Sequence, residues 1–303
     1  MARAKVVSPG LLTSVQDLGR HGYEHLGVMV GGALDDFAAI WANRLLGNPP
    51  GAAVLEATLL GPTLEALDQG YVSLTGADLG ATLDGSPWPP GSVCRLAPGS
   101  VIRFSSRRRG ARAYMGFAGG IDVPSVLGSR STDLVAGFGG LDGRRLRAGD
   151  VLHYADDPAQ PREAPLDTCR VQGVVRVLPG TRVQSFRPGT LDALVAQEYV
   201  VSNQSDSVGL RLQGVALEGA PPRGDMISEG MAIGSLQLPP EGEPIILLKS
   251  RGTIGGYATL AHVISADLPT LGQLAPGDRV RLALSSLPEA LQALGELRSL
   301  LEA

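Results

Sequence analysis

The sequence predicts a mainly β fold with short helices, arranged as two β-barrel-like domains in tandem. Short runs rich in Val, Leu and Ile alternate with Gly, Pro, Asp and Ser, as in proteins made of many strands joined by tight turns. The 41 glycines and 22 prolines are spread over the whole chain, which argues against a disordered tract. With 303 residues, the chain is long enough to bury two separate cores.

A proline-rich stretch near the middle divides the chain. Residues 155–167, ADDPAQPREAPLD, show no apolar periodicity, so we place a linker at about residues 157–167. This assigns residues 1–156 to an N-terminal β-rich domain and residues 168–303 to a C-terminal β-barrel domain. A Pro-Gly segment near the start of each half has a weakly similar sequence. Either common descent or the repeated use of Pro-Gly turns would produce this similarity.

The predicted N-terminal domain opens with an extended segment and a glycine-rich loop. One amphipathic helix follows from Leu34 to Leu45, where apolar residues recur at helical spacing and Gly47 is placed for a left-handed C-cap. The β-like runs of this domain are residues 53–61, 71–76, 81–85, 92–96, 100–105 and 111–117.

The predicted C-terminal domain likewise consists of strand-like runs and short helices. A short helix is expected over Thr190–Glu198, and a closing helix begins at a capping box formed by Ser286 and Glu289. The strand-like runs between them are residues 199–202, 209–214, 233–239, 244–249 and 279–284.

Charge, hydropathy and cysteine content exclude several classes of protein. The net charge is −4 and the longest basic cluster is Arg107–Arg109, so we expect no nucleic-acid partner. No run approaches the ~20 apolar residues that span a bilayer, and Pro9 and Gly10 interrupt the first apolar run before it reaches signal-peptide length. Cys94 and Cys169 are far apart, which fits neither a disulfide framework nor a thiolate metal site. We therefore expect a cytoplasmic protein with no metal site and no membrane partner.

Common catalytic motifs are absent as well. The lysines are Lys5 and Lys249, so the chain holds no phosphate-binding loop of the G-x-x-x-x-G-K-[ST] type. The dinucleotide fingerprint G-x-G-x-x-G and the serine-nucleophile turn G-x-S-x-G are also missing. His153 and His262 lie beside predicted strands and are candidates for acid–base chemistry.

Polar residues gather in four loops instead. Each loop combines carboxylate or amide acceptors with an arginine or hydroxyl donor, a mixture that suits a small molecule carrying carboxylate and amide groups. The alternative is an ordinary solvated loop with a Ser or Thr helix cap. The candidate substrate-binding residues are Gln16, Asp17, Arg20, Ser129, Ser131, Ser205, Arg211, Ser228, Gln237, Arg251, Thr253, Gly255, Gly256 and Tyr257.

A family resemblance covers nearly the whole chain. The stretches that carry it, in order, are PGLLTSVQDLGRHGY, GVMVGGALDDFAAIWANRLLGN, LEATLLGPTL, FAGGIDVPSVLGSRSTDLVAGFGG, SNQSDSVGLRL, SEGMAIGSLQLP and RGTIGGY. They resemble the family of C-type subunits of 5-oxoprolinase, which is also called KipA-like. That family is related to allophanate hydrolase subunit 2 and to biotin-dependent carboxyltransferase domains.

The resemblance implies cyclophilin-like β-barrel domains and a place in an ATP-dependent 5-oxoprolinase that opens the 5-oxoproline lactam to glutamate. It implies two partners, the A-type and the B-type (KipI-like) subunits of 5-oxoprolinase, with ATP bound mainly by a partner. An arginine flanked by serines would hold developing negative charge in such a reaction, and carboxylates would orient water or the ring N–H. The candidate catalytic residues are Arg130, Asp133, Asp206 and Glu229.

The chain also departs from the family pattern. Ser250 and Gly252 stand where the family commonly has Asp and Gln, and Ser207 stands where it has Arg. Losing an acidic group and a guanidinium from these loops implies an altered substrate or a mostly structural role.

Two other functions stay open. One is a biotin-dependent carboxyltransferase that moves CO₂ from carboxybiotin to a urea-like amide, which needs a separate carrier because this chain has no biotin-accepting lysine motif. The other is a KipA-like regulator that binds and antagonises a kinase-inhibitor partner without turnover.

Overall fold

Strands dominate the structure of this protein. The computed structural model describes residues 1–157, 167–221 and 228–302. Within these ranges, strands alternate with a few short helices and form several sheets and one closed barrel. The mainly β fold class predicted from the sequence is therefore confirmed.

The chain divides into two compact units. The first consists of residues 1–21 and 31–171, and the second of residues 22–30 and 172–303. Most of the linker predicted at about residues 157–167 lies outside the described residues, so that boundary stays a prediction. The segment 22–30 contains one turn of 3₁₀ helix, Glu24–Leu26, and its grouping with the second unit was not anticipated from the sequence.

Two antiparallel sheets make up the described part of the first unit and share one apolar core. Its strands are β1 (Ala2–Ser8), β2 (Leu12–Gln16), β3 (Val54–Thr58), β4 (Thr63–Ala66), β5 (Gly70–Asp78), β6 (Ala81–Leu83), β7 (Ser86–Pro87), β8 (Ser92–Leu96), β9 (Val101–Phe104), β10 (Arg109–Phe117) and β11 (Val151–Tyr154). The six-stranded sheet has the order β11-β1-β4-β9-β6-β7, and the five-stranded sheet has the order β2-β3-β10-β5-β8.

The local sequence explains how these strands face the core. In β1, Ala2, Ala4 and Val6 are buried while Arg3 and Lys5 between them are exposed, the alternation of a strand with one buried face. Strand β10 lies in the middle of its sheet and is buried along nearly its whole length, so small and apolar residues dominate it.

Helix α1 (Asp36–Leu45) is the helix predicted from the apolar spacing of the N-terminal domain. It begins where the sequence supplies a cap, because the Asp35 carboxylate accepts the Ala38 amide at 2.9 Å. It ends before Gly47, which adopts φ +68° as predicted for a left-handed C-cap.

Close packing joins α1 to the five-stranded sheet. Ser73 and Thr75 of β5 donate their hydroxyls to helix carbonyls at 2.5 and 2.7 Å. Gly116 of β10 is needed at this contact, since a Cβ there would lie 2.6 Å from the Ala42 carbonyl oxygen.

A buried polar network lies beside the start of α1. Tyr114 donates its hydroxyl to Glu56 Oε2 at 2.7 Å and accepts the Asp35 amide at 2.9 Å. The same Glu56 oxygen accepts the Leu34 amide at 2.8 Å, while Arg112 Nε lies 3.8 Å from the other oxygen. Burial first, and then the carboxylates of Glu56 and Asp35, raise the pKa of Tyr114 well above its usual value. The hydroxyl therefore stays protonated and donates to Glu56.

A closed barrel forms the body of the second unit within its described residues. The strands of this unit are β12 (Val174–Pro179), β13 (Glu198–Val201), β14 (Gly209–Gln213), β15 (Glu229–Gly230), β16 (Ser235–Gln237), β17 (Ile245–Leu247), β18 (Ile254–Gly255), β19 (Thr259–Val263) and β20 (Arg279–Leu284). The barrel order is β12-β19-β16-β17-β14-β13-β20, and the parallel pairing of β12 with β20 closes it.

Alternation along the barrel strands separates core from surface. In β12, Val175 and Val177 are fully buried, whereas Arg176 and Leu178 between and beyond them are half-buried. Among the residues that the structure describes, β15 and β18 pair with each other and with no other strand, and they form a short ribbon in which Glu229 lies opposite Gly255.

The second unit contains helices α2 (Thr190–Val195), α3 (Leu268–Gln273) and α4 (Leu287–Glu302). Helix α2 ends earlier than predicted because Glu198 already begins β13, and α3 was not predicted. The capping box before α4 is confirmed, since the Ser286 amide donates to Glu289 Oε2 at 2.7 Å. Across the described residues, none of the helices is both long and apolar enough for a membrane span.

We expect Tyr114→Phe to destabilise the first unit, because it removes the buried hydroxyl that donates to Glu56 Oε2 and accepts the Asp35 amide. The cost should be roughly 1–3 kcal/mol. Tyr71→Phe is the matched control, since Tyr71 lies on the neighbouring strand β5 and is only half-buried. Thermal unfolding of both variants measures the difference, and equal melting temperatures would contradict the assigned role of the Tyr114 hydroxyl.

Candidate functional site

Asp17 is the centre of the polar loops in the first unit. Its carboxylate accepts hydrogen bonds from Ser129 Oγ at 2.7 Å, the Gly19 amide at 2.8 Å and the Arg130 amide at 2.6 Å. The Ser131 hydroxyl donates to the same carboxylate. The bonds from Ser129, Arg130 and Ser131 tie the loop after β2 to residues 112 to 114 positions later in the chain.

The electrostatics of Asp17 follow from these bonds. Burial by itself raises the pKa of Asp17, but the donors from Ser131, Ser129, Arg130 and Gly19 outweigh it and lower the pKa below its ordinary value. The carboxylate is therefore ionised at neutral pH and fully used in holding the loop. Its serine partners point their hydroxyl hydrogens at Asp17, so they do not offer those hydrogens to a ligand.

Arg20 also stabilises this loop. The side chain is 1% exposed, its Nε donates to the Val126 carbonyl at 3.0 Å and its Nη2 donates to the Ser131 carbonyl at 3.0 Å. The guanidinium lies 4.6 Å from the centre of the Phe138 ring, within cation–π range. Gly139 allows the close approach, because a Cβ there would lie 2.1 Å from the Ser131 carbonyl oxygen.

The other predicted residues of the first unit have distinct surroundings. Gln16 is buried and its Nε2 donates to Ser14 Oγ at 2.9 Å. Asp133 uses one carboxylate oxygen to accept the Val135 and Ala136 amides at 3.0 and 2.9 Å, which shapes its own turn. Arg130 is exposed and its Nε donates to the Val123 carbonyl at 2.9 Å.

A second polar cluster lies on the outer face of the barrel. Gln237 of β16 is 6% exposed, and its Nε2 lies 3.1 Å from Met231 Sδ and 3.3 Å from the Tyr257 carbonyl oxygen. Arg251 is 7% exposed and its Nε donates to the Met231 carbonyl at 2.6 Å. Met231 therefore brings a buried amide and a buried guanidinium together. We call Gln237, Arg251 and Met231, together with the two-stranded ribbon of β15 and β18 beside them, the barrel-face cluster.

The ribbon places further predicted residues in the barrel-face cluster. A Cβ on Gly255 would lie 3.0 Å from Gln237 Nε2, so β18 lies directly against this amide. The Thr253 carbonyl accepts the Met231 amide at 3.0 Å, and Ser228 Oγ lies 3.7 Å from a Cβ position on Gly256.

Charged groups surround the cluster. Glu229 of the ribbon pairs with Arg182 at 3.2 Å. Burial lowers the pKa of Arg251, while the negative charge of Glu24 raises it. Glu24 comes from the segment 22–30, so the grouping of that segment with the second unit brings a carboxylate toward Arg251.

Sequence reasoning missed several members of this cluster, including Met231, Arg182, Glu24 and Ser235. It noted His262 only as a residue beside a strand. His262 of β19 lies opposite Ser235 of β16, and its Nδ1 is 3.3 Å from the Ser235 hydroxyl oxygen. Strand alternation could have placed Ser235 beside Gln237, because the two residues are two positions apart on one strand and their side chains therefore share a face.

The loop 202–211 has a separate geometry. Asp206 accepts the Val208 and Gly209 amides at 2.8 and 3.1 Å, which makes it a turn former. Ser205 Oγ accepts the Arg211 amide at 3.0 Å.

Arg211 and Tyr257 line one cavity of about 310 Å³ together with Glu241 and Glu243. The structure thus brings Arg211 near Tyr257, whereas Ser205 and Asp206 serve the loop's own backbone.

Neither a reactive thiol nor a metal-binding group of three or more side chains is found among the described residues. Burial raises the pKa of Cys94 to about 11, and burial is also the main cause that raises the pKa of Cys169 to about 12. Both thiols are therefore protonated at neutral pH. No group of three or more His, Cys, Asp or Glu residues is arranged to hold a metal ion among the residues described.

Comparison with known proteins agrees with the resemblance noted in the sequence. The family model described as carboxyltransferase domain, subdomain A and B, matches residues 26–284. The C-type subunit of 5-oxoprolinase from Escherichia coli (strain K12) is 38% identical over 297 residues, which cover 95% of this chain and 93% of that protein.

Solved structures share the fold. A crystal structure of TTHA0988 has a TM-score of 0.84 at 37% identity and covers 93% of this chain, which spans 55% of that longer chain. The crystal structure of the K. lactis urea amidolyase has a TM-score of 0.92 at 28% identity and covers 99% of this chain, which spans 20% of that one.

We expect Asp17→Asn to destabilise the first unit at pH 7 by roughly 1–3 kcal/mol, because four donors lose their charged acceptor. The lowered folded-state pKa means that the carboxylate stabilises the fold above its unfolded value of about 3.9 and loses this effect as pH falls toward the folded value. The melting-temperature gap between wild type and D17N should therefore narrow as pH falls below about 4. Asp122→Asn, at an exposed position of the same unit, is the control. A gap that stays constant with pH would refute the assignment.

Proposed function

We propose, from the premise that this chain belongs to the carboxyltransferase domain family, subdomain A and B, that it is the C-type subunit of an ATP-dependent 5-oxoprolinase. The observation that carries the proposal is the 38% identity to the E. coli protein over nearly the full length of both chains. A match to one domain of a larger enzyme would cover only part of that enzyme. Here, the match covers 95% of this chain and 93% of that protein.

The proposed reaction opens a five-membered lactam. A lactam carbonyl is a poor electrophile, and transfer of the terminal phosphoryl group of ATP to its oxygen creates an imidate-like ester that water attacks. The ring C–N bond then breaks, so 5-oxoproline, ATP and two waters give glutamate, ADP and phosphate. One water opens the lactam and the other releases the phosphate.

The barrel-face cluster suits the substrate. The lactam has an N–H donor beside a C=O acceptor, and the Gln237 amide has the complementary pair. The buried guanidinium of Arg251 supplies positive charge for the substrate carboxylate, and burial strengthens such a contact. Glu229 lies in the ribbon beside this amide, which supports its predicted role in orienting water or the ring N–H.

The other predicted catalytic residues are Arg130, Asp133 and Asp206, and their contacts support a catalytic role to different degrees. The exposed guanidinium of Arg130 supports a role in holding negative charge, but its serine neighbours are engaged with Asp17 and do not add to it. Asp133 and Asp206 each accept two backbone amides, which favours a structural role for both.

ATP and the other proteins enter as partners in this proposal. The chain has no phosphate-binding loop, so we assign most of the nucleotide site to an A-type or a B-type (KipI-like) partner. The chain would then contribute lactam binding and orientation to the assembled complex.

A second candidate function rests on a separate observation. The TM-score of 0.92 to the K. lactis urea amidolyase over 99% of this chain favours a carboxyltransferase that acts on a urea-like amide. Such a reaction needs biotin on a separate carrier, since the lysines here are Lys5 and Lys249 and neither lies in a biotin-accepting motif.

The first experiment mixes the purified chain with its A-type and B-type partners and measures glutamate release from 5-oxoproline. We expect release that requires ATP and disappears when this chain is omitted. A stable complex without release would refute the hydrolase assignment and favour the regulator. Carboxylation of urea by the chain with a biotinylated carrier would favour the second candidate.

A second prediction concerns how the ribbon packs against the Gln237 side-chain amide. Gly255→Ala places a Cβ 3.0 Å from Gln237 Nε2 and equally close to Met231 Cγ and Sδ, so these side chains must shift and glutamate release should fall by about 10-fold. Gly230→Ala is the matched control, because it lies in the same ribbon with open space around its Cβ position. Equal activities of the two variants would remove Gln237 from the proposed site.

A further inference from the structure

One titratable group on the outer face of the barrel has no role in the site described so far. His262 is half-buried on β19, where Leu178 of β12 lies opposite it on one side and Ser235 of β16 lies opposite it on the other. Its Nδ1 is 3.3 Å from Ser235 Oγ, and within the described chain its Nε2 has no hydrogen-bond partner. One ring nitrogen is thus anchored and the other is open.

The position of His262 relates it to the barrel-face cluster. Ser235 and Gln237 are two residues apart on β16, so the partner of His262 shares a strand face with the proposed lactam-binding amide. A register shift separates Leu236 from Gln237 in the pairing with β19, a distortion that often re-aims side chains beside functional sites. The ribbon adds Glu229 on β15, whose charge acts on His262 and whose partner strand β18 lies against Gln237 through Gly255.

The anchoring serine is not itself exposed enough to react. Ser235 is 1% exposed, so no substrate atom can reach its hydroxyl without opening the strands around it. Its location suits a different task, in which the hydroxyl oxygen accepts Nδ1–H of His262. That arrangement leaves Nε2 as the unprotonated nitrogen of the neutral ring.

Glu229 is the charged group that acts on the pKa of His262. It lies on β15 and pairs with Arg182, which follows β12. On β12, the strand paired with β19, Arg176 and Asp267 form an ion pair at 2.7 Å. Burial lowers the pKa of His262 below its ordinary 6.5, and the negative charge of Glu229 opposes that change. The imidazole is therefore mostly neutral at pH 7 and able to accept a proton.

We propose that His262 is a catalytic residue of the lactam-opening step and that Ser235 is its positioning residue. This inference rests on the proposed function. A water forms the new C–O bond at the carbon of the O-phosphorylated, N-protonated lactam and passes one proton to His262 Nε2, which gives a tetrahedral adduct. The adduct collapses to an acyl phosphate as the ring C–N bond breaks, and the departing nitrogen takes the proton from His262 and the proton of the adduct hydroxyl to become the ammonium group of glutamate. A second water then hydrolyses the acyl phosphate and releases phosphate, so His262 is neutral again and atoms, charge and protons balance.

The test uses the assembled complex and compares His262→Gln, Ser235→Ala and His153→Gln. His153 is an exposed histidine of β11 and serves as the control. We expect H262Q to lower kcat by about 10²-fold or more with little change in KM, as for loss of a general base. We expect S235A to lower kcat less and H153Q to leave it unchanged.

The pH profile separates a catalytic from a structural role. Wild-type kcat should fall as pH decreases through the pKa of His262, which burial lowers below its ordinary value, because protonation of His262 removes the base. H262Q should lack this fall, and all variants should keep wild-type melting temperatures within a few degrees. An H262Q enzyme with wild-type kcat, or one whose acid limb is unchanged, overturns the proposal.

A second measurement distinguishes failure of this inference from failure of the proposed function. If the wild-type complex releases no glutamate, the proposed function is wrong, and nitrogen-15 NMR of the histidine rings in the full chain then tests the site directly. The Nδ1–H tautomer at His262 and a change in its signal on adding 5-oxoproline would support it as a ligand-binding group. The opposite tautomer, or no change on adding 5-oxoproline, overturns it.

Discussion

The parallel pairing of β12 with β20 closes the barrel, and the arrangement of the second unit depends on that closure. A closed barrel has one inner face, and strand alternation sends every second residue into it. Val175 and Val177 occupy the inside on β12. The neighbouring strands must therefore carry their polar residues outside, and Ser235, Gln237 and His262 lie there together. The barrel-face cluster is in this sense a product of strand periodicity.

The two polar groups of the molecule differ in what they leave available. In the first unit, Asp17 already accepts from two serine hydroxyls and two amides, and Arg20 is buried among carbonyls. Breaking such buried bonds to bind a ligand costs more than it returns, because each group would need a replacement partner. In the second unit, the Gln237 amide nitrogen lies against the Met231 thioether, which is a weak acceptor, whereas Arg251 Nε donates to the Met231 carbonyl. The Gln237 amide therefore has more capacity to bind a substrate than the Asp17 carboxylate has.

The departures from the family pattern acquire a physical meaning in the structure. Ser207 and Ser250 are neighbours, since the Ser250 amide donates to the Ser207 carbonyl at 3.0 Å. This bond uses main-chain atoms, so it forms with any residue at either position. The resemblance noted in the sequence implies an Asp and an Arg at these positions in the family, so serines there would remove two opposite charges together and leave the main-chain contact intact. A change of substrate would therefore come from altered charge and not from altered backbone.

The sequence by itself determined the features that depend on near neighbours. Alternation and turn residues were sufficient for the mainly β fold, and helix α1 with its Gly47 C-cap and the capping box at Ser286 followed from local spacing. Only the tertiary structure decided which polar groups satisfy each other. Asp17 meets Ser129 across 112 positions and His262 meets Ser235 across 27, and no local pattern encodes either pair. Hydrogen bonds act over about 3 Å in space, whereas sequence patterns report only residues within a few positions of one another.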